Sequence, residues 1–93
     1  MMVNLGTRSE KFAEYVVEHG PRELDEHTVY KFANGYGASV IHGIFTYGTE
    51  LAVIKFNDDE CWKITFKTSI TDDVIGFLNS DSLDEILEKI KEL

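Results

Sequence analysis

Four side chains are of the types that act as general bases or nucleophiles: His19, His27, His42 and Cys61. A catalytic nucleophile needs a base within hydrogen-bond reach and a third group that orients the base. These four residues fall on different predicted elements, and no motif joins them. His42 in an apolar strand is typical of a partly buried structural histidine, and Cys61 beside Trp62 is typical of a small hydrophobic residue. We therefore expect no catalytic residues and no enzyme activity.

Metal and cofactor binding have little support in the sequence. The acidic run at residues 58–60, Asp-Asp-Glu, could attract a hard cation, but it lacks the glycine and the spaced oxygens of a calcium loop. Cys61 is the only cysteine, so neither an intramolecular disulfide nor a Cys-pair metal site can form. We expect no metal and no cofactor.

A glycine-rich stretch, NGYGASVIHG, occupies residues 34–43. A dinucleotide-binding fingerprint would need a glycine where Val40 stands, and a P-loop would need Gly-Lys-Ser/Thr, so phosphate cradling is excluded. The stretch also overlaps the RNP1 pattern of RNA-recognition motifs, although Asn34 replaces its basic residue. Single-stranded nucleic-acid binding, with Tyr36 as a stacking platform, is therefore one alternative function.

The net charge of −8 is concentrated at the two ends of the chain. Residues 1–27 have a net charge of −3, residues 28–71 of 0 and residues 72–93 of −5. Such a surface repels phosphate backbones, so nucleic acid is disfavoured, and it attracts basic partners. The alternative is that the acidic faces only maintain solubility.

Aromatic residues are dense in the neutral middle of the chain. Residues 28–48 carry a single charge, at Lys31, and five Phe or Tyr side chains, a composition that protein interfaces favour. Together with the acidic residues farther along, they give the predicted partner-binding set: Tyr36, Tyr47, His42, Asp72 and Asp73.

The elements that position these residues begin with a predicted helix. Thr7-Arg8-Ser9-Glu10 is a capping box, an apolar stripe at helical spacing follows, and Gly20-Pro21 would end the helix. The spacing of the apolar residues then changes to every second position over residues 28–33 and 36–45, which predicts two strands. They meet at Asn34-Gly35, a pair typical of a type I′ hairpin turn.

Two further strands are predicted at residues 50–57 and 61–68. The first is apolar on both faces and should be covered on both sides. In the second, Trp62, Ile64 and Phe66 alternate with polar residues, so that strand should bury one face only.

Helical patterns return at the C-terminus. Thr71 is placed to cap a helix over residues 72–78, and Ser82-Leu83-Asp84-Glu85 is a second capping box that opens a helix to the C-terminus. We predict an α+β domain over residues 1–93, with an N-terminal helix, a three- or four-stranded antiparallel β-meander and two C-terminal helices packed on the sheet. The predicted core comprises Phe12, Val16, Ile41, Ile54, Phe56, Trp62, Ile64, Phe66, Ile75, Leu78, Leu83, Ile86, Leu87 and Ile90.

Three blocks carry a resemblance: NGYGASV at residues 34–40, ELAVI at residues 50–54 and ITDDVIGFL at residues 70–78. In this order they resemble the blocks of small uncharacterised proteins encoded by tailed bacteriophages and prophages, over residues 32–93. The segment WKITFK at residues 62–67 departs from the shorter strand of that family. Because the family has no assigned activity, the resemblance implies no functional residues.

The leading functional hypothesis is a small, acidic, non-enzymatic protein-binding module. The resemblance implies a phage accessory factor that engages or inhibits a host protein, and mimicry of DNA by the acidic helices is one form of this hypothesis. The sequence shows no signal peptide and no apolar run long enough to cross a membrane, so we expect the host cytoplasm as its location. Apolar surface left over after folding predicts a weak homodimer.

Overall fold

Five antiparallel strands dominate the fold in a computed structural model of the protein, which describes residues 6–21, 25–44, 46, 48–58, 61–70 and 74–93. The strands are β1 (Val16–Pro21), β2 (Asp25–Lys31), β3 (Tyr36–Gly43), β4 (Thr49–Phe56) and β5 (Trp62–Ile64). Their order in the sheet is β1-β2-β3-β4-β5. The described residues contain one α-helix, α1 (Ser80–Lys91). The fold is therefore mostly sheet, and the predicted arrangement of one N-terminal and two C-terminal helices is wrong.

The predicted N-terminal helix is replaced by a short 3-10 turn (Ala13–Tyr15) and β1. Instead of capping a helix, the Thr7 hydroxyl donates a hydrogen bond to Glu26 Oε1 and lies 2.9 Å from Thr28 Oγ1. The valines that open β1 are β-branched and favour a strand, and pairing with β2 stabilises it. A helix this short has no comparable stability on its own.

The segment before the 3-10 turn ties the sheet to α1. Tyr30 Oη donates to the carbonyl of Thr7 at 2.7 Å and accepts from the backbone N–H of Ser9 at 2.8 Å. The Ser9 hydroxyl then donates to Asp84 of α1. Phe12 follows and is buried in the core. This segment therefore closes the core between the helix and the sheet.

α1 begins three residues before the predicted start. Its N-cap is Asn79, whose side chain accepts from the Ser82 N–H at 2.8 Å, while Ser82 Oγ accepts from the Asn79 N–H at 2.9 Å. Ser82 thus occupies position N3 of the capping box and is not its cap. No helix of the described residues is long and apolar enough to span a membrane.

The main core lies between α1 and one face of the sheet. The burial of Leu83, Leu87 and Ile90 on one stripe of α1 is confirmed, as is the burial of Phe12. Their buried partners on the sheet were not in the predicted core: Tyr30, Phe32, Ala38, Val40, Leu51 and Val53. The prediction missed them because it assigned the core to the other face of the strands.

No helix in the described part of the chain covers that other face, and burial there is partial. Ile54 is fully buried, as predicted, and β4 is buried on both faces, as predicted. However, Ile64 is 46% exposed and Phe66 is 48% exposed, because β5 is only three residues long and lies at the sheet edge. The remaining members of the predicted core are only half-buried: Val16, Ile41, Phe56, Trp62, Ile75, Leu78 and Ile86.

The prediction of a first C-terminal helix is also wrong for residues 74–78. The predicted cap and first turn of that helix, residues 71–73, lie outside the described residues. Ile75 forms an antiparallel bridge with Leu51, and the Leu78 N–H donates to the Thr49 carbonyl at 3.0 Å. β5 pairs only with residues 54–56 of β4, so the first half of that edge is open to this segment. Pairing there satisfies backbone groups that a short isolated helix would leave partly unpaired.

The β2–β3 turn lies where it was predicted but has a different type. Gly35 has φ +86°, whereas Asn34 has no positive φ, so the turn is not type I′. The Gly35 N–H donates to the Phe32 carbonyl at 3.1 Å, the bond of a type I turn followed by a left-handed glycine.

Candidate partner-binding groove

A groove of about 820 Å³ runs between α1 and residues 69–70 and 75–78. The helix contributes the stripe next to its core-facing stripe, including Ser82, Ile86 and Lys89. The opposite wall is positioned by two backbone hydrogen bonds between Ile75 and Leu51, of 2.8 and 2.9 Å. The position of one wall is therefore set by α1, and the position of the other by the bridge between Ile75 and β4.

Phe77 is the most exposed large hydrophobic residue of the described chain and lines this groove. Its side chain is 79% exposed, and its backbone has φ +56°, which is the left-handed region. A non-glycine residue in this region costs on the order of 1 kcal/mol. The bonds of Ile75 and Leu78 to β4, on either side, fix this conformation.

The loop between β3 and β4 passes close to Phe77. A Cβ atom added at Gly48 would lie 3.5 Å from the Phe77 Cα, and Gly48 itself has φ +65°. Ile44, in the same loop, is 72% exposed. The two most exposed large hydrophobic residues therefore belong to neighbouring segments at one end of the molecule.

The charge beside the groove is mainly acidic. α1 carries four acidic residues and two lysines, and Glu92 follows at its C-cap. Lys89 Nζ lies 3.5 Å from Glu85 Oε1, an exposed pair worth only about 0.3–0.5 kcal/mol. Glu92 also lines the groove and keeps a negative charge at its C-terminal end.

Of the five predicted partner-binding residues, the structure describes only Tyr36 and His42, and these two lie apart. Tyr36 is half-buried at the start of β3, with Lys55 Nζ 4.6 Å from its ring centre. His42 is half-buried near the other end of β3, roughly 20 Å away along the strand, and its Nδ1 lies 2.9 Å from Thr49 Oγ1. The other three predicted residues lie outside the described residues: Tyr47, Asp72 and Asp73.

Sequence reasoning missed Phe77 as a site residue. The available signal was Gly76, because a glycine inside a predicted seven-residue helix costs about 1 kcal/mol relative to alanine and weakens the assignment. Even a prediction of extended backbone over residues 74–78 would not have shown that Phe77 is exposed, because exposure depends on what packs beside the side chain.

A buried chain of polar side chains lies at the far end of the core. Thr7 donates to Glu26, so its contact with Thr28 requires Thr28 as the donor. His19 Nδ1 lies 2.5 Å from Thr28 Oγ1 and must then donate to it. The chain therefore runs from His19 through both threonines to the Glu26 carboxylate. Each side chain in this series is hydrogen-bonded to the next, and we therefore assign the series a structural role.

A hydroxyl–imidazole pair lies on the other face of the sheet. His27 Nε2 is 2.8 Å from Ser39 Oγ, and the His27 ring centre is 6.5 Å from that of Trp62. Ser39 lies in the middle of β3, whose backbone pairs with β2 on one side and β4 on the other. An acyl-transfer site needs free N–H donors beside its nucleophile, and the ladder uses those of the strand.

In the described part of the chain, no group of three His, Cys, Asp or Glu side chains is placed to hold a metal ion. The groove presents apolar side chains on both of its walls, at Ile70 and Leu78 on one side and Ile86 on the other. Comparison of the chain with known protein families, with curated proteins and with solved structures gives no match in any of the three.

Proposed function

We propose that this protein is a non-enzymatic protein-binding module whose contact surface is the groove between α1 and residues 69–70 and 75–78. The single observation that carries the proposal is Phe77, which combines 79% exposure with a left-handed backbone. Burial against a partner would remove the ring from water and offset the cost of its conformation. Aromatic side chains at the centre of an interface commonly supply much of the binding energy.

The biological setting of the proposal is a phage accessory factor that engages or inhibits a host protein in the bacterial cytoplasm. Its supports are the resemblance of residues 32–93 to small phage and prophage proteins, the small size, and the acidic C-terminal part with a net charge of −5. The acidic surface favours a basic host protein, and DNA-binding proteins belong to this class.

The test is affinity capture from a bacterial lysate, followed by measurement of the affinity for the purified captured protein. Phe77→Gly removes the ring and places a glycine where φ is positive, so the fold should be as stable or more stable. Ile64→Ser is the matched control, since it removes an exposed apolar side chain that does not line the groove. We expect Phe77→Gly to weaken binding at least about tenfold and Ile64→Ser to leave it unchanged.

Equal binding by wild type and Phe77→Gly would contradict the proposal. Denaturant melts of both variants serve as the folding control. Competition by duplex DNA, with a steep dependence on salt, would identify DNA mimicry as the form of recognition.

One observation favours single-stranded nucleic acid as a second candidate ligand. Tyr36, Lys55 and Lys63 are register partners across β3, β4 and β5. Two like charges directly opposite each other are unfavourable, and a phosphate between them would relieve the repulsion. Titration with an unstructured oligonucleotide at low salt should then quench tyrosine or tryptophan fluorescence, and an unchanged signal would remove this candidate.

A further inference from the structure

The wall of the groove formed by residues 74–78 is joined to β4 by an isolated antiparallel bridge at Ile75. Both backbone groups of Ile75 bond to Leu51 of β4. The Ile75–Gly76 peptide is planar and its carbonyl points to β4, so the Gly76 N–H points away from β4. Gly76 lines the groove, and neither its N–H nor its carbonyl has a hydrogen-bond partner among the described residues. An unpaired donor and acceptor therefore stand at the groove wall.

The rest of the groove offers contacts for side chains on one face of such a strand. Its apolar lining comes from both walls, with Ile70 and Leu78 on one side and Ile86 on the other. A volume of about 820 Å³ is within the range of sites that enclose several side chains or a small ligand. Phe77 stands beside the opening and can cover an inserted segment.

The charge around the groove selects among possible occupants. Residues 72–93 have a net charge of −5, and Glu85, Glu92 and Lys89 line the groove itself, so its side-chain lining is negative by one charge. A second copy of this chain would bring the same negative charge against it, and nucleic acid would bring phosphates. A segment with lysine or arginine between its apolar residues complements both the lining and the charge.

We infer that the groove binds an extended segment of another protein, with alternating apolar and basic residues, which adds as a strand beside Gly76. The inference rests on the proposed function and specifies the chemistry of the partner. Backbone hydrogen bonds to Gly76 align the segment, its apolar side chains fill the groove, and its basic side chains approach Glu85 and Glu92.

The test uses synthetic peptides of about eight residues with alternating valine and lysine, titrated calorimetrically into the full chain at low salt. One control peptide is N-methylated on alternate backbone amides, which removes its strand-pairing donors. The other carries glutamate for lysine. We expect the N-methylated peptide to bind at least about tenfold more weakly and the glutamate peptide not to bind.

Protein variants localise the peptide site. Phe77→Gly should weaken peptide binding, Glu85→Gln with Glu92→Gln should weaken it and reduce its salt dependence, and Ile64→Ser should change neither. Equal affinity for the N-methylated peptide, or no binding of the lysine peptide at about 1 mM, would overturn strand addition. Dimerisation that Phe77→Gly abolishes would instead identify a second copy as the occupant. If lysate capture still depends on Phe77 while the peptides fail, the protein-binding function stands and only the extended basic segment is wrong.

Discussion

Tyr30 shows how a single buried hydroxyl links folding to pH. Burial is the main cause that raises the Tyr30 pKa from 10.0 to about 12. The folded state therefore holds the phenolic proton more tightly than the unfolded chain does. Its contribution to stability is complete below pH 10 and is lost as the pH rises through about 12.

The expected result is that the free energy of unfolding falls by up to about 3 kcal/mol between pH 10 and pH 12. Urea denaturation at pH 9 and pH 11.5 measures this fall. Tyr30→Phe should cost about 1–3 kcal/mol at pH 9, because it leaves the Thr7 carbonyl and the Ser9 N–H without their partner. In that variant the alkaline fall should be smaller. An identical fall in both proteins would assign it to other groups.

Asn34 is a second residue with more than a local role. Its Nδ2 donates to the carbonyls of Ile90, Lys91 and Leu93 at 2.9–3.1 Å, so the hairpin side chain caps the C-terminus of α1. Its Oδ1 accepts from the Tyr36 N–H at 3.0 Å.

Asn34→Asp keeps the acceptor for the Tyr36 N–H but removes the donors and adds a negative charge at the negative end of the helix dipole. We expect this variant to be less stable by about 1–2 kcal/mol, with a smaller loss at high salt. Asn34→Ala, which removes both functions without adding charge, should lose stability independently of salt. The same salt response in both would contradict the charge argument.

At the scale of elements, β5 and α1 contribute unequally to the core. Leu87 of α1 is fully buried, whereas Ile64 of β5 is 46% exposed. Leu87→Ala should therefore cost about 2–5 kcal/mol and Ile64→Ala less than about 1 kcal/mol, as measured by denaturant melts. A large loss in both variants would mean that the uncovered face of the sheet is as important for stability as the face under α1.

β1 is the edge of the sheet opposite β5, and its sequence limits pairing with other chains. Pro21 lacks an N–H, and the register shifts between Val16 and Glu18, which marks a bulge. The edge at residues 74–78 carries no such protection. This difference between the two edges is a further reason to place partner recognition at the groove.

At the scale of the whole molecule, we expect weak self-association that salt strengthens. Ile64 and Phe66 are both about half exposed near the β5 edge, and such neighbouring apolar residues favour contact between copies. The charge of −8 on each copy opposes that contact, and salt screens the charge. Sedimentation should show a mass above 10.6 kDa at high protein concentration, more so at high salt, and Phe66→Ser should reduce it. A constant monomer mass would contradict this prediction.

Several features followed from the sequence alone because they depend on near neighbours in the chain. The Asn34-Gly35 pair located the hairpin, since a glycine is needed where φ is positive. The unbroken apolar run of β4 predicted a strand covered on both faces. The apolar spacing of α1 predicted its buried stripe, although a capping box shared by Asn79 and Ser82 moved its start.

Other features were decided only by the tertiary structure. The apolar residues before Gly20 fit both a helical stripe and a strand, and pairing with β2 decides between them. Ile75 likewise forms a bridge and not a helical turn because β4 offers an open edge beside Leu51. The exposure of Phe77, and with it the candidate site, follows from that pairing. Periodicity shows which residues share a face, but burial is set by what packs on that face, and that depends on contacts between residues far apart in sequence.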